Sequence, residues 1–301
     1  MSSTSLKSAA ALLAASLGLV AAPSSAVFAQ ETKPQEAKPK EATTQVESHP
    51  ADATNDKPLP EAEDPWRAQI NLWMWLMGVN GTVGVKGTKA DVSASFLDIL
   101  DNSDSVLAFS GRLELGYGRL GFYFDGLYTQ LGVDDSPGPD GLDSFDITYD
   151  QTTLDFGVMY RIGEWKPTSG ADLNPRKITL DAYAGARYMN LDLDIDPRIG
   201  AQEKGNKNWF DPVVGLKLVL PFAKHWHLAI NGDIGGFDAA SEFCWSSTGL
   251  VGYDFELFGH PASFMFGYRI MDWDYTDGSG SNEFTWDLRQ QGAMLGFELL
   301  F

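Results

Sequence analysis

The chain has 301 residues, 44% of them hydrophobic, with 41 acidic against 22 basic side chains and a formal charge of −19. So large an acidic excess excludes nucleic acid as a partner, because a phosphate backbone demands basic surface. The single cysteine, Cys244, excludes an internal disulfide and leaves no lipidated cysteine near the start.

Residues 1–29 read as a secretory signal. Lys7 supplies a thin positive region, Ala9 to Ala22 an apolar stretch too short to span a bilayer, and Val27-Phe28-Ala29 a cleavage site before Gln30. Residues 30–65 are built of Glu, Lys, Ala, Thr and Pro without an aromatic residue. Such a segment cannot bury enough apolar surface to offset ordering, and it is expected to be a disordered periplasmic linker. The linker holds nine of the acids and four of the bases, which leaves 32 acids against 17 bases from Trp66 onward. No later segment reaches the ~18 consecutive apolar residues that a transmembrane helix needs.

From Trp66 the chain repeats a unit of alternating residues followed by a turn. In the first unit Trp66, Ala68, Ile70, Leu72, Met74 and Leu76 share one face, and Arg67, Gln69, Asn71, Trp73 and Trp75 the other. The contrast recurs over 106–117, 120–131, 147–162, 177–191, 209–222, 226–236, 242–255, 262–275 and 284–301. One greasy face and one mixed face is the pattern of a strand between lipid and a polar interior. Alternation alone also fits a soluble sandwich, so the aromatics decide. Trp66, Tyr117, Tyr160, Trp226 and Tyr253 share the greasy face at one end of their strands, and Tyr128, Tyr188 and Trp245 share it near the other. A bilayer interface selects two such belts. The expectation is an all-β fold: a closed antiparallel up-and-down transmembrane barrel over residues 66–301. About ten strands fit, with eight or twelve open because Thr82 to Lys86 either extends the first strand or pairs separately. Short turns such as 117–119 and 221–225 alternate with long loops at 80–105, 134–146 and 195–208; the segment 163–176 is long for the periplasmic side.

By parity the interior carries Arg67, Arg112, Arg161, Arg187, Lys217 and Arg269, together with Glu114, Asp125, Asp155, Asp181, Asp233, Asp254 and Glu298. Six bases against seven acids in a narrow barrel should pair, or should line a thin water path. In the first long loop, Asp91 to Asn102 places Val92, Phe96, Ile99 and Leu100 at helical spacing, with Ser93 or Ser95 as a cap. That helix either constricts the mouth or lies on the rim.

No catalytic constellation stands out. His49 falls in the linker, and His225, His227 and His260 lie beside periplasmic turns. A serine–histidine pair at that rim is the one catalytic arrangement conceivable there. Acidic groups at Asp134, Asp135, Asp140, Asp143 and Asp146, at Asp192, Asp194 and Asp196, and at Asp272, Asp274 and Asp277 match no calcium-loop pattern and read as solvated strand ends. Gly232-Asp233-Ile234-Gly235-Gly236-Phe237 sits inside a strand and lacks the lysine and helix of a phosphate loop.

The last strand, Gly292 to Phe301, ends on an aromatic and resembles the terminal strand of bacterial outer-membrane barrels. The run Gly232 to Phe237, with Asp211-Pro212-Val213-Val214-Gly215, Gly267-Tyr268-Arg269 and Asp274-Tyr275, resembles a pattern in uncharacterised bacterial outer-membrane barrel proteins of the small porin-like kind. The resemblance covers Trp66 to Phe301. It implies an outer-membrane location, contact with lipid and lipopolysaccharide, and recognition of the strand ending at Phe301 by the barrel assembly machinery. It implies no reaction, no cofactor and no metal. The leading expectation is therefore a non-enzymatic barrel, acting as a narrow low-conductance pore for small ions or as a structural envelope component. The alternative is a surface binding protein that engages divalent ions or lipopolysaccharide through acidic external loops. An outer-membrane hydrolase comes third.

Overall fold

The computed structural model describes residues 65–137, 144–167, 176–197 and 203–301. The expected signal and linker fall outside them, as do Asp140 and Asp143. Within the described residues the chain runs β1 (Trp66–Val85), β2 (Thr88–Ala94), a short helix α1 (Phe96–Asn102), β3 (Ser105–Tyr117), β4 (Leu120–Pro137), β5 (Ser144–Trp165) and β6 (Ile178–Pro197). It continues with β7 (Glu203–Ala223), β8 (Trp226–Gly236), β9 (Phe243–Leu257), β10 (His260–Asp277) and β11 (Phe284–Leu300). From β3 to β11 each strand pairs antiparallel with the next, β1 pairs with both β2 and β3, and β1 pairs with β11 over seventeen positions, from Gln69↔Leu300 to Val85↔Phe284. The sheet is closed. Ten strands make the wall, and β2 is an extra one.

Thr82 to Val85 extends β1, pairing with both β11 and β2, and Lys86 lies in the turn that follows. β1 carries on past the rim of β3 and folds back at Lys86-Gly87, both at positive φ, so that β2 pairs with its outer half from Val79↔Ala94 to Val85↔Thr88. Several strands outrun the sequence estimate. β6, for example, continues to Pro197 and pairs with β7 as far as Ile195↔Glu203. The expected helix over 91–102 is corrected by half: Asp91 to Ala94 belongs to β2, where Val92 lies opposite Gly81. Ser95 then caps α1, its hydroxyl accepting from the Asp98 amide while the Asp98 carboxylate accepts from the Ser95 amide, a reciprocal capping box.

The exterior is apolar. Ile70, Leu72, Met74, Leu113, Leu115, Phe122, Phe124, Val158, Val214, Leu216, Phe264 and Leu295 are all exposed on outward-facing positions. At the end where β1 starts, Trp66 meets Tyr117 edge-on at 4.9 Å between ring centroids, and Trp226 meets Tyr253 at 5.1 Å. A water-soluble protein would not leave so continuous an apolar belt uncovered. Closing the sheet through β1 and β11 pairs the wall's backbone amides without water, the condition for crossing hydrocarbon, except where β1 and β3 part beyond Trp73↔Ser110. The fold is a transmembrane barrel of the outer-membrane type, and no helix among the described residues is long and apolar enough to cross a membrane.

Candidate functional site

The interior has two halves, and the lower one, at the end expected to face the periplasm, is ionic. Close to that end Arg161 donates to Asp181 at 2.7 and 3.1 Å and to Glu164 at 3.1 Å, and Lys177 reaches Glu164 at 2.7 Å. Glu298 and Asp254 share Arg176, which lies 2.7 Å from Asp254 and also bonds Glu298. One step deeper, Glu114 takes both Lys217 at 2.7 Å and Arg112 at 2.6 Å, while Arg112 also faces Asp125 at 3.7 Å. At mid-depth Arg187 forms a two-pronged bond to Asp155 at 2.8 Å and reaches Asp233 at 3.0 Å. Tyr183 and Ser246 donate to the same Asp233, and Arg269 donates to Asp125 at 3.3 Å. Buried ions held this way are tolerable because each carboxylate has more than one donor.

Twelve of the thirteen side chains singled out from the sequence therefore lie in these ion pairs inside the barrel. Arg67 bonds the carbonyl of Gly118 at the periplasmic turn and lines a chamber of about 410 Å³ there, with Arg161, Arg176, Lys177, Glu164 and Asp181. The sequence reading missed Arg176, because it lies in no strand. It enters from the long periplasmic connection between β5 and β6 and supplies the cation that seven acids against six bases were short of. That imbalance was the available signal.

The outer half of the lumen departs from a polar interior. Trp75, Met189, Met271, Trp273 and Met294 are buried on inward positions just above the ion pairs, and Trp286 and Leu288 lie farther out. Six of the eight methionines (77, 159, 189, 265, 271 and 294) are buried inside the wall. Methionine fills irregular gaps between aromatic rings well. Through this layer runs one neutral clasp, Gln151 and Gln290 exchanging bonds of 3.0 and 2.6 Å. Trp209 stacks on Tyr275 with centroids 4.1 Å apart and donates to Asp211. A reading by charged residues alone overlooks this half.

The catalytic arrangement conceivable from sequence has a different use. His227 is fully buried with Nδ1 2.9 Å from Asp254, but the Ser263 hydroxyl donates to Asp254 at 2.7 Å rather than to the histidine. Ser263 is itself fully buried, so it offers no nucleophile to a substrate. Gly252 makes this packing fit: a Cβ there would lie 2.2 Å from His227 Cε1. At the external rim, Asp192 accepts from Asn190 and Asn206, Asp272 from Arg289 at 2.6 Å, and Asp277 from Lys207. Among the described residues no three His, Cys, Asp or Glu side chains come together in a way that could hold a metal ion.

No family model and no curated protein matches the sequence. Among solved structures the chain is similar to Ail of Yersinia pestis in complex with the heparin analogue sucrose octasulfate, at 12% identity over 78% of this chain and 98% of that one, with a TM-score of 0.35. It is also similar to the translocator domain of the autotransporter NalP from Neisseria meningitidis, at 13% identity over 80% and 90% with a TM-score of 0.37. A third is the outer-membrane protein AlkL in lipid bilayers, at 11% identity over 85% and 97% with a TM-score of 0.29.

Proposed function

We propose that the protein is a stoppered barrel of the bacterial outer membrane, an envelope component that does not conduct in its resting state. The observation that carries this reading is the knot of Arg187, Asp155 and Asp233 at mid-depth, with Arg269–Asp125 beside it and Arg112–Glu114–Lys217 beneath. An ion crossing the lumen would have to break these pairs, and removing one partner of a buried pair typically costs ~3–5 kcal/mol. The apolar layer above adds a second obstacle, because a dewetted constriction also blocks ions. Of the two uses first expected, a narrow pore and a structural component, the interior favours the second.

Membrane insertion places the exterior against lipid and the acidic external rim at the level of lipopolysaccharide phosphates. The last strand, closing on β1 and ending at Phe301, is the segment that an assembly machinery would read. Among the described residues no arrangement of side chains suggests a reaction, and the proposed role is that of a non-enzymatic envelope component.

Recordings from the purified protein in planar bilayers test it. The expected result is no stable open level in salt of either polarity. Steady conductance from the unaltered protein would overturn the proposal and restore the pore.

A further inference from the structure

Above the stopper the lumen holds a chamber of about 170 Å³ whose walls include Met77, Val83, Val92, Leu131, Ile147 and Leu288, with no charged side chain among them. A second hollow of about 130 Å³ adjoins it, sharing Val83, Tyr149, Leu193 and Trp286. Such a lining is unexpected inside an outer-membrane barrel, whose lumen is ordinarily polar. Nor is the chamber wholly satisfied: the indole Nε1 of Trp286 and the hydroxyl of Ser103, both on its wall and both shielded from solvent, have no hydrogen-bond partner among the described residues. Trp286 is only 5% exposed. A buried donor left unmade is costly, so the chamber is chemically suited to an apolar guest with one acceptor.

The wall beside this chamber is not laddered throughout. β1 pairs with β3 only from Trp66 to Trp73, ending at Trp73↔Ser110, and with β2 only from Val79 outward. Ser105 to Phe109 of β3 pair with β4 alone, and the far edge of β2 pairs with no strand among the described residues. Five residues of strand leave a seam about 17 Å long. All five are exposed on both faces, including Val106 and Ala108, whose parity points inward. Helix α1 lies beside the gap, against β1 and β2. Its Phe96 and Ile99 line one small hollow together with Trp75, Met77, Val106, Ala108 and Leu131. Ile99 also lines the chamber, while Leu97 and Leu100 are exposed.

We propose that the chamber binds a small, neutral, largely apolar molecule carrying one hydrogen-bond acceptor, which enters sideways from the membrane through the seam, with α1 as its door. The volume suits a benzene-sized group, since a dry apolar cavity of roughly 150 Å³ accepts benzene. Among the described residues no charged side chain lines this chamber, Asp192 and Lys207 lining only the adjoining hollow, and such a wall disfavours ionic amphiphiles. The ionic stopper beneath makes the chamber blind toward the periplasm, so the guest is held rather than passed on.

The probe is 4-bromoacetophenone, a neutral aryl ketone whose bromine quenches tryptophan and can be located by anomalous diffraction. In lipid nanodiscs the full-length protein should show saturable quenching, and crystals soaked with the probe should place bromine beside Trp286. Ile147→Trp, which fills the chamber, should weaken binding at least tenfold. Trp286→Phe keeps a ring but removes the donor, and should weaken it about fivefold, the worth of one neutral hydrogen bond. Retained heat-modifiable gel mobility shows that each variant is folded; if Ile147→Trp does not fold, the bromine position and Trp286→Phe still decide. Quenching that never saturates, bromine found only in lipid or as an adventitious additive only, or unchanged affinity in both variants overturns the chamber. Loosening α1 with Ser95→Ala and Asp98→Asn should speed association several-fold while bromine stays in place, and an unchanged rate overturns the seam. A barrel that conducts would leave this inference standing, because the bromine position reads the chamber directly.

Discussion

Arg187 is fully buried and holds two carboxylates, Asp155 through both prongs of its guanidinium and Asp233 through one. Replacing it with Ala leaves both acids without their cation, and a loss of about 3–5 kcal/mol in urea unfolding from bilayers is expected. Asp155→Asn should cost less, since an amide keeps the shape and one acceptor. The two changes combined should cost clearly less than their sum, because both act on one pair; strict additivity would mean that they do not share an interaction. How legible was this network? The alternation delivered the strand faces, and with them the residue types that meet inside. Partner choice was not legible, because it depends on strand stagger: Arg269 pairs with Asp125 on a distant strand, while Asp155 and Asp233 go to Arg187. Arg176 was invisible to a reading by strands because its backbone belongs to a connection.

At the scale of single elements, β7 offers a test of lipid against lumen. Leu216 is exposed outward near the middle of the strand, and Leu216→Arg should cost about 2–4 kcal/mol, the penalty for a basic group facing lipid at mid-depth. Val219 points the other way, into the periplasmic chamber of about 410 Å³ with its lining of charged side chains. Val219→Arg should therefore be the milder change; equal defects in the folded fraction by gel mobility would contradict the face assignment. Helix α1 carries a pH dependence of definite sign. The Ser95 hydroxyl, 2.7 Å from the Asp98 carboxylate, and the Ser95 amide at 2.9 Å hold that carboxyl below its ordinary 3.8. A depressed pKa stabilises the folded form above the unfolded value and loses that contribution as pH falls through the lowered one. Amide protection of α1 should thus be flat at neutral pH and drop below about pH 4. Asp98→Asn should show the reduced protection at every pH, and a wild-type loss beginning near pH 6 would implicate another group. The helix itself was half legible. Val92 fell into helical register with Phe96 and Ile99, yet pairing with the outer half of β1 satisfies its backbone, and a seven-residue helix is too short to compete for it.

For the whole molecule, the proposed stopper has two unlike layers in series along one lumen, one ionic and one apolar. Arg269 and Asp125 belong to the lower one. On the same face of β10, Met271 and Trp273, both fully buried, belong to the upper, packed with Trp75, Met189 and Met294. Breaking only the ionic seal invites water, but water arriving from below still meets an apolar layer with little to bond. Arg269→Ala should accordingly lower stability by about 3–5 kcal/mol while the barrel stays silent in planar bilayers. Trp273→Ala alone should also cost about 3–5 kcal/mol and stay silent, since the ion pairs beneath are intact. Only the double variant connects the two aqueous phases, and its current should prefer cations, because Asp125 remains in the path without the Arg269 charge. The measurement is single-channel recording of the three variants beside the unaltered protein, with refolding checked for each. If Arg269→Ala conducts by itself, the Trp and Met layer is no barrier and the stopper is ionic alone. If Trp273→Ala conducts by itself, the ion pairs already admit water, and the barrel is a pore closed only by its outer half.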